Sequence, residues 1–181
     1  MCRPEAGPFL FDTSAESWLA RNRTPEIQLW LATYLKMHQI AVSAVTVSER
    51  VRGYSMLWRK SPEGTRPRIS AARLAYLRQP LTVFTFDTAT AIVTGEIMAL
   101  LPNPPTPPRR AHRHAESRQE RLARWRFDCM IAATALVAAR PLLHNNAVDF
   151  DVIARVLNDC ADWFPGVGQL ILIGCSELGL S

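Results

Sequence analysis

The stretch from Arg126 to Phe150, RFDCMIAATALVAARPLLHNNAVDF, restricts the fold more than any other part of the chain. Ile131, Ala132, Ala135, Leu136 and Ala139 recur at three- and four-residue steps, and alanine has the best intrinsic helix propensity, so a helix is predicted here. Pro141 stops it. Leu142 and Leu143 then form an apolar strand too short to bury itself alone, and Asn145, Asn146 and Asp149 supply turn chemistry directly after it. Helix, strand and loop in this order make one unit of a parallel sheet, and open parallel sheets collect ligands beyond the carboxyl ends of their strands. The loop carrying Asp149 is therefore where chemistry is expected, with Asp128, placed in the first helical turn, at the same edge. Each acid also has a plainer role open to it. Asp128 suits the helix macrodipole, and Asp149 suits capping of a helix that begins near Phe150.

A chain of 181 residues, 48% hydrophobic, fits one domain with a real core. The expected organisation is a single domain over 1–181, with a proline- and arginine-rich insertion at about 102–124 and an extended helix-strand segment at about 150–181. No run of about eighteen apolar residues occurs, and MCRPEAGPFLF lacks a charged segment followed by a long apolar one. Neither a membrane span nor a secretory signal is expected, which makes the expected location cytoplasmic. Cys2, Cys129, Cys160 and Cys175 are scattered, which argues against a zinc site or a disulfide framework. The net charge of +5 is local: between Arg109 and Arg126 seven arginines stand against Glu116 and Glu120, and the remainder sums to nearly zero. Such a cationic arm suits a polyanion or an acidic protein surface.

Along the chain, Phe9, Leu10 and Phe11 read as a buried strand ending at Asp12, after which Thr13 and Ser14 turn into a helix. Thr24-Pro25-Glu26 is a helix start, followed by Ile27, Trp30, Leu31, Tyr34 and Leu35 on one face. Ile40 to Val42 is a second strand, leading to a helix expected to carry Val47, Val51, Tyr54, Leu57 and Trp58 on one side. Thr46 and Glu49 match a capping box, a structural role for Glu49. Ser70 to Gln79 reads as a helix with Leu74 and Leu77 inward. Leu81 to Phe86 is a third strand, and Asp87 the cap of the helix after it. LPNPPTPPRR cannot continue a helix, and the arginine-rich run after it is expected to form its own exposed helix up to Trp125. Gln169 to Ile173 reads as the last strand.

Asp12, Glu49, Asp128 and Asp149 each follow a short strand or open a helix, so a parallel sheet would gather all four at one edge. Converging carboxylates repel one another, and a divalent ion relieves that repulsion. Carboxylates are the ligands of Mg²⁺ or Mn²⁺, and no Cys/His cluster competes. At these residues the sequence resembles the PIN domain family, in particular the VapC-type toxin ribonucleases of type II toxin–antitoxin pairs. The resemblance spans about Pro8 to Phe150 and rests on FLFDTS, VSAVTVSE and DCMIAATALVAARPLLHNNAVDF, the last being the most specific. It implies a three-layer α/β/α fold around a mostly parallel sheet of four or five strands. It implies that Asp12, Glu49, Asp128 and Asp149 surround Mg²⁺ or Mn²⁺, supported by Ser14 and Asn146, with RNA as substrate, a cognate antitoxin as partner and a homodimer as assembly. Arg109, Arg110, Arg113 and Arg118 would then track RNA phosphates. His144 stands where the family commonly has Thr or Ser, and the interval from Glu49 to Asp128 is longer than usual. The alternative reading is a non-catalytic module that binds RNA or protein through the basic insertion.

Overall fold

The computed structural model describes residues 3–105, 116–159 and 168–178. Five short strands, β1 (Leu10–Phe11), β2 (Ala41–Ser43), β3 (Thr82–Phe84), β4 (Leu142–His144) and β5 (Leu172–Gly174), form one sheet in the order β3-β2-β1-β4-β5. Every pairing is parallel, with Leu10 opposite both Ala41 and Leu142, and Phe11 opposite both Val42 and Leu143. Strands of two or three residues cannot bury themselves, so the helices that join them supply the core: α1 (Thr13–Arg21), α2 (Pro25–Met37), α3 (Ala44–Lys60), α4 (Arg66–Leu77), α5 (Thr88–Leu100), α6 (Arg118–Val137) and α7 (Ala147–Asp159).

Alternation along the strands divides that core in two. Leu10, Ala41 and Leu142 pack with Val93, Ile97, Trp125, Ile131, Ala132, Ala135, Phe150 and Ile153 on the α5–α6–α7 side. Phe9, Phe11, Val42 and Leu143 pack with Leu19, Ile27, Trp30 and Tyr34 on the α1–α2 side. There Phe9, Trp30 and Tyr34 stack, and the Tyr34 hydroxyl accepts the Phe9 N–H at 3.0 Å. The sheet with helices on both faces is the architecture expected of the sequence.

Three local expectations are corrected. The arginine-rich run does not form a helix of its own: from Arg118 it is the opening of α6, capped by Ser117 and Glu120 in a capping box, and it continues without a break to Val137. Asp128 therefore lies in the middle of a helix and not in its first turn. The buried Trp125, whose Nε1 donates to Leu101 O at 3.0 Å, is the reason, because it ties these turns into the core. Second, Leu57, Trp58, Leu74 and Leu77 are exposed; α3 and α4 form a hairpin that reaches past the sheet and buries only Val45, Thr46, Ile69 and Tyr76. Third, Ser43 and not Thr46 caps α3, its hydroxyl accepting the Thr46 N–H at 2.9 Å. Glu49 is thereby released from the capping box. The small-residue helix ends as expected before Pro141, with Ala139 at φ 49° in the left-handed region after its last turn.

Candidate functional site

Parallel register brings the carboxyl ends of β1, β2 and β4 to one edge. Asp12, directly after β1, donates its N–H to Leu143 O at 3.0 Å and caps α1, its Oδ1 accepting from Ala15 N at 2.5 Å. Ser14 Oγ donates to Asp12 Oδ2 at 2.7 Å and accepts Asn145 N–H at 3.0 Å, so one hydroxyl joins the β1–α1 turn to the β4–α7 turn. Glu49, one turn into α3, accepts from Thr13 Oγ1 at 2.5 Å. Asp128 comes from the middle of α6. Asp149 is wholly buried in the first turn of α7. Asn146 Nδ2 lies between these last two, 2.9 Å from Asp149 Oδ2 and 3.4 Å from Asp128 Oδ2.

The acids at this edge act on one another electrostatically. Burial raises the Asp128 carboxyl well above the usual range, and the charges of Asp149, Asp12 and Glu49 push it further, against the pull of Arg124. Asp12 is raised to about 6 by burial and, to a smaller degree, by Glu49, despite the hydrogen bonds from Ser14 and Ala15. Both carboxyls are thus harder to ionise than a solvated acid, a cost that a nearby cation would offset. Among the described residues no three acidic, His or Cys side chains form a ready-made metal-ligand group. Hydrogen bonds from Thr13, Ser14, Asn146 and Arg124 instead hold carboxylate oxygens. The donor set is all oxygen and mutually repulsive, which suits a hard divalent ion.

Arginine and histidine complete the surroundings. Arg124, one turn before Asp128, forms an ion pair with Asp149 at 2.8 Å and a two-point pair with Glu116. On the other side Arg50, next to Glu49, lies 3.4 Å from the buried Glu16, donates to Ser17 Oγ and the Tyr54 hydroxyl, and sits over the Tyr54 and Tyr76 rings. It fastens the α3–α4 hairpin to α1. His144 is buried against Phe150, and its Nδ1 accepts the Asn146 N–H at 3.3 Å. Burial lowers its pKa, which favours the neutral ring that this bond requires.

Asp12, Glu49, Asp128, Asp149, Ser14 and Asn146 are therefore brought together at one edge. Arg118 is exposed in the first turn of α6, while Arg109, Arg110 and Arg113 lie outside the described residues, as do Cys2 and Cys160. Cys129 and Cys175 are free and buried. Sequence reasoning did not single out Thr13, Glu16, Arg50 or Arg124. The i, i+4 spacing of Arg124 and Asp128 was the one available signal for the last.

The fold and this crevice define an α/β protein of PIN-like architecture with an acidic cleft at the carboxyl ends of its parallel strands. Solved structures similar to it include VapBC and FitAB complexes. A VapBC2 complex from Rickettsia felis bound to a DNA fragment from its promoter matches at TM-score 0.58 and 18% identity, over 92% of this chain and 97% of that one. DNA-bound VapBC from Salmonella typhimurium matches at 0.56 and 21%, over 96% and 98%. FitAcB from Neisseria gonorrhoeae matches at 0.52 and 19%, over 81% and 93%. No family model and no curated sequence matches the chain.

Proposed function

We propose that the protein is a metal-dependent endoribonuclease and the toxin component of a type II toxin–antitoxin pair. The observation that carries this reading is Asp128, buried and facing the charges of Asp149, Asp12 and Glu49 in one crevice. Asp12, Glu49 and Asp128 would hold one or two Mg²⁺ or Mn²⁺ ions, with Asp149 completing the acidic set. A bound ion of this kind lowers the pKa of water and neutralises charge on phosphoryl oxygens. The chain's own contribution is to hold the acids in place. Ser14 and Thr13 orient Asp12 and Glu49, Asn146 spaces Asp128 from Asp149, and one carboxylate directs water in line with the scissile phosphodiester, leaving a 5′-phosphate and a 3′-hydroxyl. Arg109, Arg110, Arg113 and Arg118 bind RNA phosphates in a salt-sensitive way. The likeness to VapBC and FitAB assemblies supports an antitoxin partner, and a homodimer is part of the same proposal.

The test is cleavage of structured RNA with Mg²⁺ or Mn²⁺ by the wild type, Asp12→Ala and Asp128→Asn. Cleavage only by the wild type is expected, and equal cleavage by all three removes the proposal. One observation favours a second reading, in which the protein binds RNA or a partner without turnover: carboxylate oxygens in the crevice already have protein donors. Titration calorimetry with Mn²⁺ separates the two, since only the first requires the wild type to bind the ion.

A further inference from the structure

The α3–α4 hairpin carries eight Lys or Arg against Glu49 and Glu63 over residues 44–78, and its two helices together line a cavity of about 350 Å³. That volume lies at the small end of ligand pockets. Tyr54, Trp58 and Arg59 come to it from α3, and Ile69 and Arg73 from α4. Its aromatic walls are held in place by other arginines. Arg50 donates to the Tyr54 hydroxyl at 3.3 Å and sits 5.3 Å from that ring's centroid. Arg66, whose Nε donates to Ser61 O at 3.2 Å, sits 4.6 Å from the centroid of Trp58, which is nonetheless 41% exposed. Arg59 and Arg73 differ from these two: both are exposed, and among the described residues neither forms an ion pair.

The lining contains no acid, and Ile69 is its one aliphatic side chain. A peptide helix docking through leucine or methionine anchors needs aliphatic walls. Two aromatic rings beside two guanidiniums suit a flat base with phosphates attached. The position also suits the crevice. Glu49 and Trp58 lie on the same helix nine residues apart, about 13.5 Å of helical rise, so an RNA held at the crevice reaches the hairpin within a few nucleotides.

We infer that this cavity is a nucleotide subsite for single-stranded RNA, in which an unstacked base lies against Trp58 and Tyr54 while Arg59 and Arg73 hold the flanking phosphates. This rests on RNA being what the crevice acts on. The hairpin then supplies a contact to a base, whereas the acids and the arginine run are directed at the phosphodiester backbone.

The experiment is fluorescence anisotropy with a short labelled single-stranded RNA of mixed sequence, in EDTA so that nothing is cut. The full-chain wild type is compared with Trp58→Ala, Trp58→Phe, Arg59→Ala/Arg73→Ala and Arg78→Ala, each checked by circular dichroism. Trp58→Ala should weaken binding about tenfold and Trp58→Phe less than about threefold, the scale of one base–aromatic stack. An abasic oligomer with the same phosphates should bind the wild type about tenfold more weakly than the RNA does and lose nothing further in Trp58→Ala. The arginine pair variant should lower the slope of log affinity against log salt by about 1.4, at about 0.7 per phosphate of a single strand. Arg78, exposed after the last turn of α4 and outside the lining, should cost less when replaced than either cavity arginine. A folded Trp58→Ala that binds RNA like the wild type overturns the inference, as does a loss in Arg78→Ala equal to that in the arginine pair. Labelled poly-glutamate that loses affinity in Trp58→Ala while the RNA does not assigns the cavity to an acidic peptide and overturns it too. If Trp58→Ala does not fold, the abasic oligomer on the wild type and the arginine pair decide. A wild type that binds RNA through Trp58 but never cuts it with Mn²⁺ removes the catalytic reading and leaves the subsite standing.

Discussion

The acidic crevice and the α3–α4 hairpin are joined through one helix, yet they treat charge in opposite ways. The crevice buries Asp12, Asp128 and Asp149, whereas residues 44–78 carry eight Lys or Arg against only Glu49 and Glu63, nearly all in solvent. On the hairpin, Arg59 and Arg73 line a cavity of about 350 Å³ with Tyr54 and Trp58, and Arg66 sits 4.6 Å from the Trp58 ring centroid. Water screens those cations, so their crowding costs little. No such screening reaches the crevice, where carboxyls are forced toward their neutral forms. Crowded charge in solvent is a surface property. Crowded charge out of solvent creates a demand for a counter-ion.

Breaking the connection between the two regions should have the largest effect. Arg50→Ala leaves Glu16 buried without its partner and detaches the hairpin from α1, with an expected loss of about 3 kcal/mol in urea denaturation, the lower end for one member of a buried pair. Arg50→Lys restores charge without the fork and should recover only part of it.

Next is Asn146→Ala, which removes the amide between Asp128 and Asp149. Mn²⁺ affinity should fall roughly 10–100-fold, the usual cost of losing a hydrogen-bond partner of a ligand, measured by calorimetry. His144→Leu removes the acceptor that holds the Asn146 N–H and should give a smaller loss in the same assay. His144→Asn, whose Oδ1 takes the place of Nδ1, should stay near wild type.

A stability titration sharpens the contrast further. The folded Asp12 carboxyl lies near 6 against 3.8 in the unfolded chain, so its contribution is fully present below pH 3.8 and is lost as pH rises through about 6. In the absence of metal the protein should therefore become less stable between roughly pH 4 and 6 on this account. Asp12→Asn, which keeps the α1 cap, should be more stable than wild type at pH 7 by up to about 3 kcal/mol, at 1.36 kcal/mol per pKa unit. Added Mn²⁺ should narrow that gap by stabilising the wild type. Hairpin charges should show none of this: Arg73→Ala is expected to change stability by less than about 0.5 kcal/mol at any pH in that range.

The strands, the small-residue helix, the caps at Thr24 and Asp87 and the edge where Asp12 and Asp149 lie were legible because each rests on neighbours within a turn or a strand. The helix bearing Asp128 was misplaced at its start. Arginine-rich composition suggested an exposed helix of its own up to Trp125, but Trp125 packs into the core and makes Arg118 to Val137 one element. The inward faces of α3 and α4 were misread for a related reason. Periodicity shows that a helix has an apolar stripe, but a hairpin extending past the sheet has nothing there to cover Leu57 or Leu77.

By itself, then, the amino-acid order determined a parallel α/β arrangement and the place of Asp12 directly after the first strand. It could not distinguish a capping Glu49 from one that receives Thr13, because that choice depends on α1 lying beside α3, 36 residues away. Nor could it pair Arg124 with Asp149, 25 residues on, which requires α6 and α7 to be packed first. Local propensity acts over a turn of helix, whereas the field inside the crevice is a sum over groups that only packing brings into range and only burial leaves unscreened.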